Sequence, residues 1–196
     1  MVEYRYLVLD IMKKTFDEVI KVINGKVGKV YISEDQIKKR IKELAAKIEC
    51  DFPQDEELIV VGLLKGSFMF LTDLVKEMRP TLVMDFMTAM SYGDALESSK
   101  EVKILKDIEE SIMGKNVLLV EDIIDSGYTL SKVVGILKGR SPKSIKICTL
   151  LNKSYRREVE VDVDYVGFDV ADYFVFGYGI DIQHRYRHLK DIEIFI

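Results

Sequence analysis

Two adjacent carboxylates, Glu121 and Asp122, followed by Asp125-Ser126-Gly127-Tyr128-Thr129, are the residues whose types and spacing point most directly to chemistry. They follow Val117-Leu118-Leu119-Val120, an apolar β-rich run of the kind buried on both faces in a parallel sheet. Beyond Thr129, the residues Leu130, Val133, Val134 and Leu137 recur at helical spacing. A strand–loop–helix unit presents backbone N–H groups at the helix start, where the dipole favours an anion. Ser126 and Thr129 add hydroxyl donors, and Gly127 allows close backbone approach, so the loop is suited to a phosphate. Adjacent acids would repel that phosphate unless they face a diol or a metal ion. A sugar with a 5-phosphate and free 2- and 3-hydroxyls meets both conditions, with Asp125 near its reacting face.

The elements around this unit alternate between strand and helix patterns. Ser33 reads as a helix N-cap with Gln36 at the capping-box position, ahead of the stripe Ile37, Ile41, Leu44 and Ile48. Leu58 to Leu64 reads as a strand, and Phe68 to Met78 as a helix stopped by Pro80. Thr81–Met87, Val102–Leu105 and Ser144–Leu151 read as further strands. Tyr165–Phe168, Tyr173–Tyr178 and Ile192–Ile196 read as short strands or loops. The pattern predicts an α/β fold with a mostly parallel central sheet and helices on both faces. Residues 1–28 stand ahead of it as an N-terminal extension, weakly amphipathic around Phe16, Val19 and Ile20, expected either as a helix over 13–23 or as a disordered tail.

Composition is consistent with one globular domain of 196 residues, 48% hydrophobic and 32% charged. No apolar stretch approaches membrane-spanning length, and Leu7-Val8-Leu9 is too short for a secretory core. Two cysteines, Cys50 and Cys148, make no disulfide framework and are expected as reduced thiols. A net charge of −4 argues against a nucleic-acid surface, and the cytoplasm is the expected compartment.

The run Val120-Glu121-Asp122-Ile123-Ile124-Asp125-Ser126-Gly127 closely resembles the phosphoribosyl-pyrophosphate (PRPP) signature of the type I phosphoribosyltransferases, in the form typical of their hypoxanthine-guanine branch. Gly62-Leu63-Leu64-Lys65-Gly66-Ser67 resembles the pyrophosphate-binding loop of that branch, and Ser91-Tyr92-Gly93 the start of its mobile loop. Leu150-Leu151-Asn152-Lys153 and the segment from Val166-Gly167-Phe168 through Asp181 to Arg187 resemble its purine-recognition segments. The resemblance implies a phosphoribosyltransferase domain over 29–196, with a small hood built from its N- and C-terminal segments. It implies purine salvage: displacement of pyrophosphate from PRPP by a 6-oxopurine, with magnesium as cofactor.

Residue by residue, the resemblance makes Asp125 the general base and Glu121 with Asp122 the holders of the ribose diol and magnesium. Ser126, Gly127, Thr129 and the backbone of Tyr128 bind the 5-phosphate. A helix-cap role is the alternative for Asp125. Leu64, Lys65 and Gly66, with a cis Leu64–Lys65 peptide, and Arg187 are implied for pyrophosphate; Lys65 as a solvated strand-end lysine is the plainer reading. Lys153 is implied as donor to the 6-oxo group, Phe174 as the base platform and Val175 as a backbone partner of the purine. Asp181 is implied at the purine end and for a second magnesium. Without the resemblance, Phe174 reads first as a core aromatic. His184 and His188 have no ligand-spaced partners and read as surface residues. Ser91 and Tyr92 would open a lid that excludes water. The resemblance implies hypoxanthine as the preferred base with guanine accepted, and a homotetramer or homodimer. Xanthine use, and a PRPP-responsive nucleic-acid regulator, are the competing readings.

Overall fold

The computed structural model describes residues 28–79, 81–91 and 102–194. Residues 1–27, with the helix expected over 13–23, lie outside the described residues, as do Pro80 and Tyr92. Six strands form the central sheet in the order β4-β3-β2-β5-β6-β7. They are β2 (Leu58–Leu64), β3 (Leu82–Ser91), β4 (Val102–Lys106), β5 (Asn116–Ile124), β6 (Ser144–Asn152) and β7 (Tyr165–Asp169). All neighbours are parallel except β3 and β4.

Strand alternation sorts the core into two layers. Ile59, Val61, Val117 and Leu119 pack with Leu130, Val133 and Leu137 of one helix, Tyr128–Lys138. Leu58, Val60, Leu118 and Val120 face the opposite side, where they meet helices Glu34–Asp51 and Phe68–Lys76. These helices are α1 (Glu34–Asp51), α2 (Phe68–Lys76) and α3 (Tyr128–Lys138). The Ser33–Gln36 capping box is formed in both directions, so α1 starts where the sequence places it. Helix α2 stops at Lys76, short of the expected Met78.

A second, three-stranded antiparallel sheet joins β1 (Lys29–Ile32), β9 (Ile192–Ile194) and β8 (Val175–Phe176). Of Tyr173–Tyr178, expected as a short strand or loop, only Val175 and Phe176 form a strand, because only they find partners on β9. Two long-range bonds join this sheet's segments to helices of the main layer. Glu34 N–H donates to Asp191 Oδ1 at 2.7 Å, and Tyr178 Oη to Asp73 Oδ2 at 2.7 Å.

Ser91, expected to open a loop, instead ends β3 paired with Val102 of β4. The base of this hairpin is held by Asp85, which is 6% exposed and accepts N–H groups from Phe86 (2.6 Å), Glu109 (2.6 Å) and Glu110 (2.9 Å). Burial penalises the Asp85 charge, but these N–H groups and Lys106 outweigh it and hold the carboxyl below its ordinary range. A depressed carboxyl stabilises the fold above the unfolded value and loses that contribution as pH falls through the folded one. Asp85→Ala is therefore expected to cost about 2–3 kcal/mol at neutral pH, with a smaller penalty in acid. Urea titrations of both proteins at several pH values check this.

Candidate active site

The strand order reverses between β2 and β5, since the chain runs β2, β3, β4 outward on one side and β5, β6, β7 on the other. Ligands of open α/β sheets sit outside the carboxyl ends of the strands at such a point. Strand β5 extends through Glu121 and Asp122 to Ile124, beyond the apolar run, because Ile123 and Ile124 continue the ladder with Leu151 and Asn152 of β6. The two acids thus project from a strand end rather than from a loop. Glu121 Oε1 accepts the Asp122 N–H at 3.2 Å. Burial, and then the Asp122 carboxylate beside it, push the Glu121 carboxyl well above its ordinary range. Among the described residues neither acid has a cationic partner.

Gly127 is the N-cap of α3, with φ of 87°, and no side chain caps the helix. The left-handed backbone explains the glycine. A Cβ there would also lie 2.5 Å from the Val159 carbonyl oxygen. The cap role considered for Asp125 is therefore not realised. Its loop is anchored instead by the Ser126 carbonyl, which accepts N–H groups from Glu158 and Val159, each at 3.0 Å. Ser126 precedes that cap, and Tyr128 and Thr129 open α3, where the first N–H groups have no intrahelical acceptor.

The loop after β2 meets the acids across the switch point. The Leu64–Lys65 peptide is cis, as the resemblance implied. Lys65 is exposed, while Gly66 is buried directly against Asp122: a Cβ on Gly66 would overlap that carboxylate. Ser67 Oγ donates to the Leu63 carbonyl at 2.5 Å and closes the turn into α2. On its other side the Gly66 carbonyl lies against Gly179 of the C-terminal segment. There Arg187 donates Nη1 to the Gly179 carbonyl at 2.7 Å and pairs through Nη2 with Asp181 Oδ1 at 2.6 Å. The second Asp181 oxygen accepts the His184 N–H at 2.7 Å. Asp181 and Arg187, given separate roles by sequence, thus form one unit. Both histidines are exposed.

Lys153 follows β6 and donates its N–H to the Ile124 carbonyl at 3.0 Å, which sets it beside Asp125. The residue is 5% exposed, and burial pulls its ammonium below the ordinary range against the attraction of Asp125. Val175 is buried in β8, and Phe174 packs on the small cluster of Phe176 and Ile182. Ser91 is described only as part of β3.

Two residues at this end of the sheet escaped the sequence reading. Arg156, in the short 3-10 turn Ser154–Arg156, lies 3.6 Å from Asp125 Oδ2 and also pairs with Asp172. Arg157 donates Nη2 to Asn152 Oδ1 at 2.5 Å and packs against the Gly127 loop. Their only signal was an arginine doublet three residues after Lys153.

Among the described residues, no helix is long and apolar enough to cross a membrane, and no cluster of three or more His, Cys, Asp or Glu side chains could hold a metal ion.

Against known proteins, the family model for the phosphoribosyl transferase domain matches residues 32–183. The hypoxanthine phosphoribosyltransferase of Salmonella typhimurium is 56% identical over 161 residues, covering 82% of this chain and 90% of that one. The hypoxanthine-guanine phosphoribosyltransferase of Bacillus subtilis is 47% identical over 168 residues, covering 86% and 93%. A hypoxanthine-guanine phosphoribosyltransferase of Bacillus anthracis, solved with HEPES in its active site, superposes with a TM-score of 0.82 at 45% identity, over 87% of this chain and all of that one. Sequence match, sheet order and strand-end geometry agree, and this chain belongs to the phosphoribosyltransferase family.

Proposed function

We propose that this chain transfers the 5-phosphoribosyl group from PRPP to hypoxanthine, and also to guanine, giving IMP or GMP and pyrophosphate. The observation that carries this reading is the convergence of Lys65-Gly66, Glu121-Asp122, the Asp125–Thr129 loop and Lys153 at the carboxyl ends of β2, β5 and β6. The purine nitrogen attacks C1 of the sugar as the bond to pyrophosphate breaks, with inversion through an oxocarbenium-like transition state. The loop Ser126–Thr129 holds the 5-phosphate, Glu121 and Asp122 the diol, and Leu64, Lys65, Gly66 and Arg187 the departing pyrophosphate. Ser91 and Tyr92 open the lid. Asp125 accepts the purine proton, while Phe174, Val175 and Asp181 seat the base. We read the small sheet as the hood over that base.

Glu121 and Asp122 fit a magnesium ion: hard oxygen donors beside each other, without a cation of their own among the described residues. Magnesium takes few protein ligands and completes its shell with water and phosphate, so a site of two carboxylates suffices. Asp181 would serve a second ion once Arg187 turns to pyrophosphate. When bound, magnesium neutralises charge on the leaving group. A cytoplasmic homotetramer or homodimer accompanies this reading.

Lys153 decides which base is accepted. Its buried ammonium can donate to a 6-oxo group and finds no acceptor in the 6-amino group of adenine. Lys153→Met is expected to lower kcat/KM for hypoxanthine roughly 10–100-fold, the loss of one charged hydrogen bond. Steady-state assays of both proteins with PRPP and magnesium check it, offering hypoxanthine, guanine, xanthine and adenine separately. The reading requires turnover of hypoxanthine and guanine but not adenine. A preference for xanthine would reassign the base, and turnover of none would favour a PRPP-responsive regulator.

A further inference from the structure

Asp125 has one oxygen tethered and one without a partner. Oδ1 is buried and meets no hydrogen-bond partner in the protein, whereas Oδ2 faces Arg156 Nη1 at 3.6 Å. No helix cap restrains the side chain. Arg156 therefore supplies the fixed point that leaves Oδ1 for a substrate atom. The same guanidinium pairs through Nη2 with Asp172, two residues before Phe174. One planar fork thus spans the strand end that carries Asp125 and the segment that leads to the base platform. Arginine can do this because its donors lie in fixed directions; a lysine ammonium is a single point.

We propose that Arg156 is a positioning residue that aims Asp125 and links it to the seating of the purine through Asp172. This rests on the phosphoribosyl-transfer reading above. The side chains of Arg156 and Asp172 are 38% and 46% exposed. An ion pair so exposed contributes little to stability, so its removal leaves a folded protein. Its effect falls on turnover, because a small misplacement of a reacting group costs rate steeply.

The test compares Arg156→Ala, Arg156→Lys, Asp172→Ala and the Arg156→Ala/Asp172→Ala double variant with the parent protein. Steady-state kinetics are measured with hypoxanthine and PRPP, and thermal unfolding is measured in parallel. Arg156→Ala is expected to lower kcat roughly 10–100-fold, leave KM for PRPP within about twofold, and raise KM for hypoxanthine. Arg156→Lys recovers part of kcat, and the double variant loses no more than Arg156→Ala alone, as expected for residues acting as one unit. The proposal is overturned by kcat within twofold of the parent in Arg156→Ala, by no recovery in Arg156→Lys, by losses that multiply in the double variant, or by a loss accounted for by the unfolded fraction. If the parent protein turns over no purine, it is the phosphoribosyl-transfer reading that has failed.

Discussion

Asp125→Asn is expected to lower kcat roughly 10²–10⁴-fold, the usual contribution of a positioned general base, while PRPP still binds. The substitution keeps the shape of the side chain and its ability to accept a hydrogen bond. It removes the negative charge, and with it both the capacity to take a proton and the exposed ion pair with Arg156. Its structural cost is small, because Gly127 and not Asp125 stands at the N-cap of α3. The buried Oδ1 has no partner in the protein, so no internal hydrogen bond of that atom is lost. Calorimetric titration with PRPP and magnesium measures binding, and a single-turnover experiment isolates the chemical step. Near-normal turnover would remove Asp125 from the proton transfer. Loss of PRPP affinity in step with turnover would make it a binding residue instead.

Gly66→Ala is expected to lower kcat/KM for PRPP by about 100-fold. The φ of Gly66 lies outside the left-handed region, so an alanine backbone is admissible there. The conflict is with a neighbour, since the added Cβ would overlap the Asp122 carboxylate. Asp122 must then turn away from the switch point, together with the diol and magnesium it is proposed to hold. Adding Asp122→Ala relieves the overlap without restoring the acid. The double variant should therefore regain thermal stability but no activity. Activity that returned with Asp122→Ala would mean that this carboxylate is dispensable, and unchanged kcat/KM in Gly66→Ala would mean that it can move at no cost.

Much of this molecule could be read from short stretches of chain. The Ser33–Gln36 capping box, strand β2 and the register of α3 each depend on residues within one or two turns of each other. The placement of the Glu121–Thr129 run was legible for the same reason: acids, turn and helix start are contiguous, so strand-end geometry follows from their order. The Gly66 loop, 55 residues upstream of Glu121, was recognised by resemblance; its contact with Asp122 depends on β2 and β5 pairing as neighbours.

Other features were not decided locally. Val175 and Phe176 became a strand only because Ile194 and Glu193 lay alongside, and Ser91 only because Val102 did. Asp125 could have capped a helix or faced a guanidinium; its neighbours in sequence permit both, and packing against the Ser154–Arg156 turn chose the second. Asp181 and Arg187 carried separate expectations and met in space. Propensity and periodicity act over a few residues and are visible in any window of sequence. Which distant side chains meet depends on how whole elements stack, as in the bond between Tyr178 and Asp73 across 105 positions. The chemical groups and their strand-end placement were therefore written locally, whereas the partner of each group was set by the packing of the sheet, its helices and the C-terminal segment.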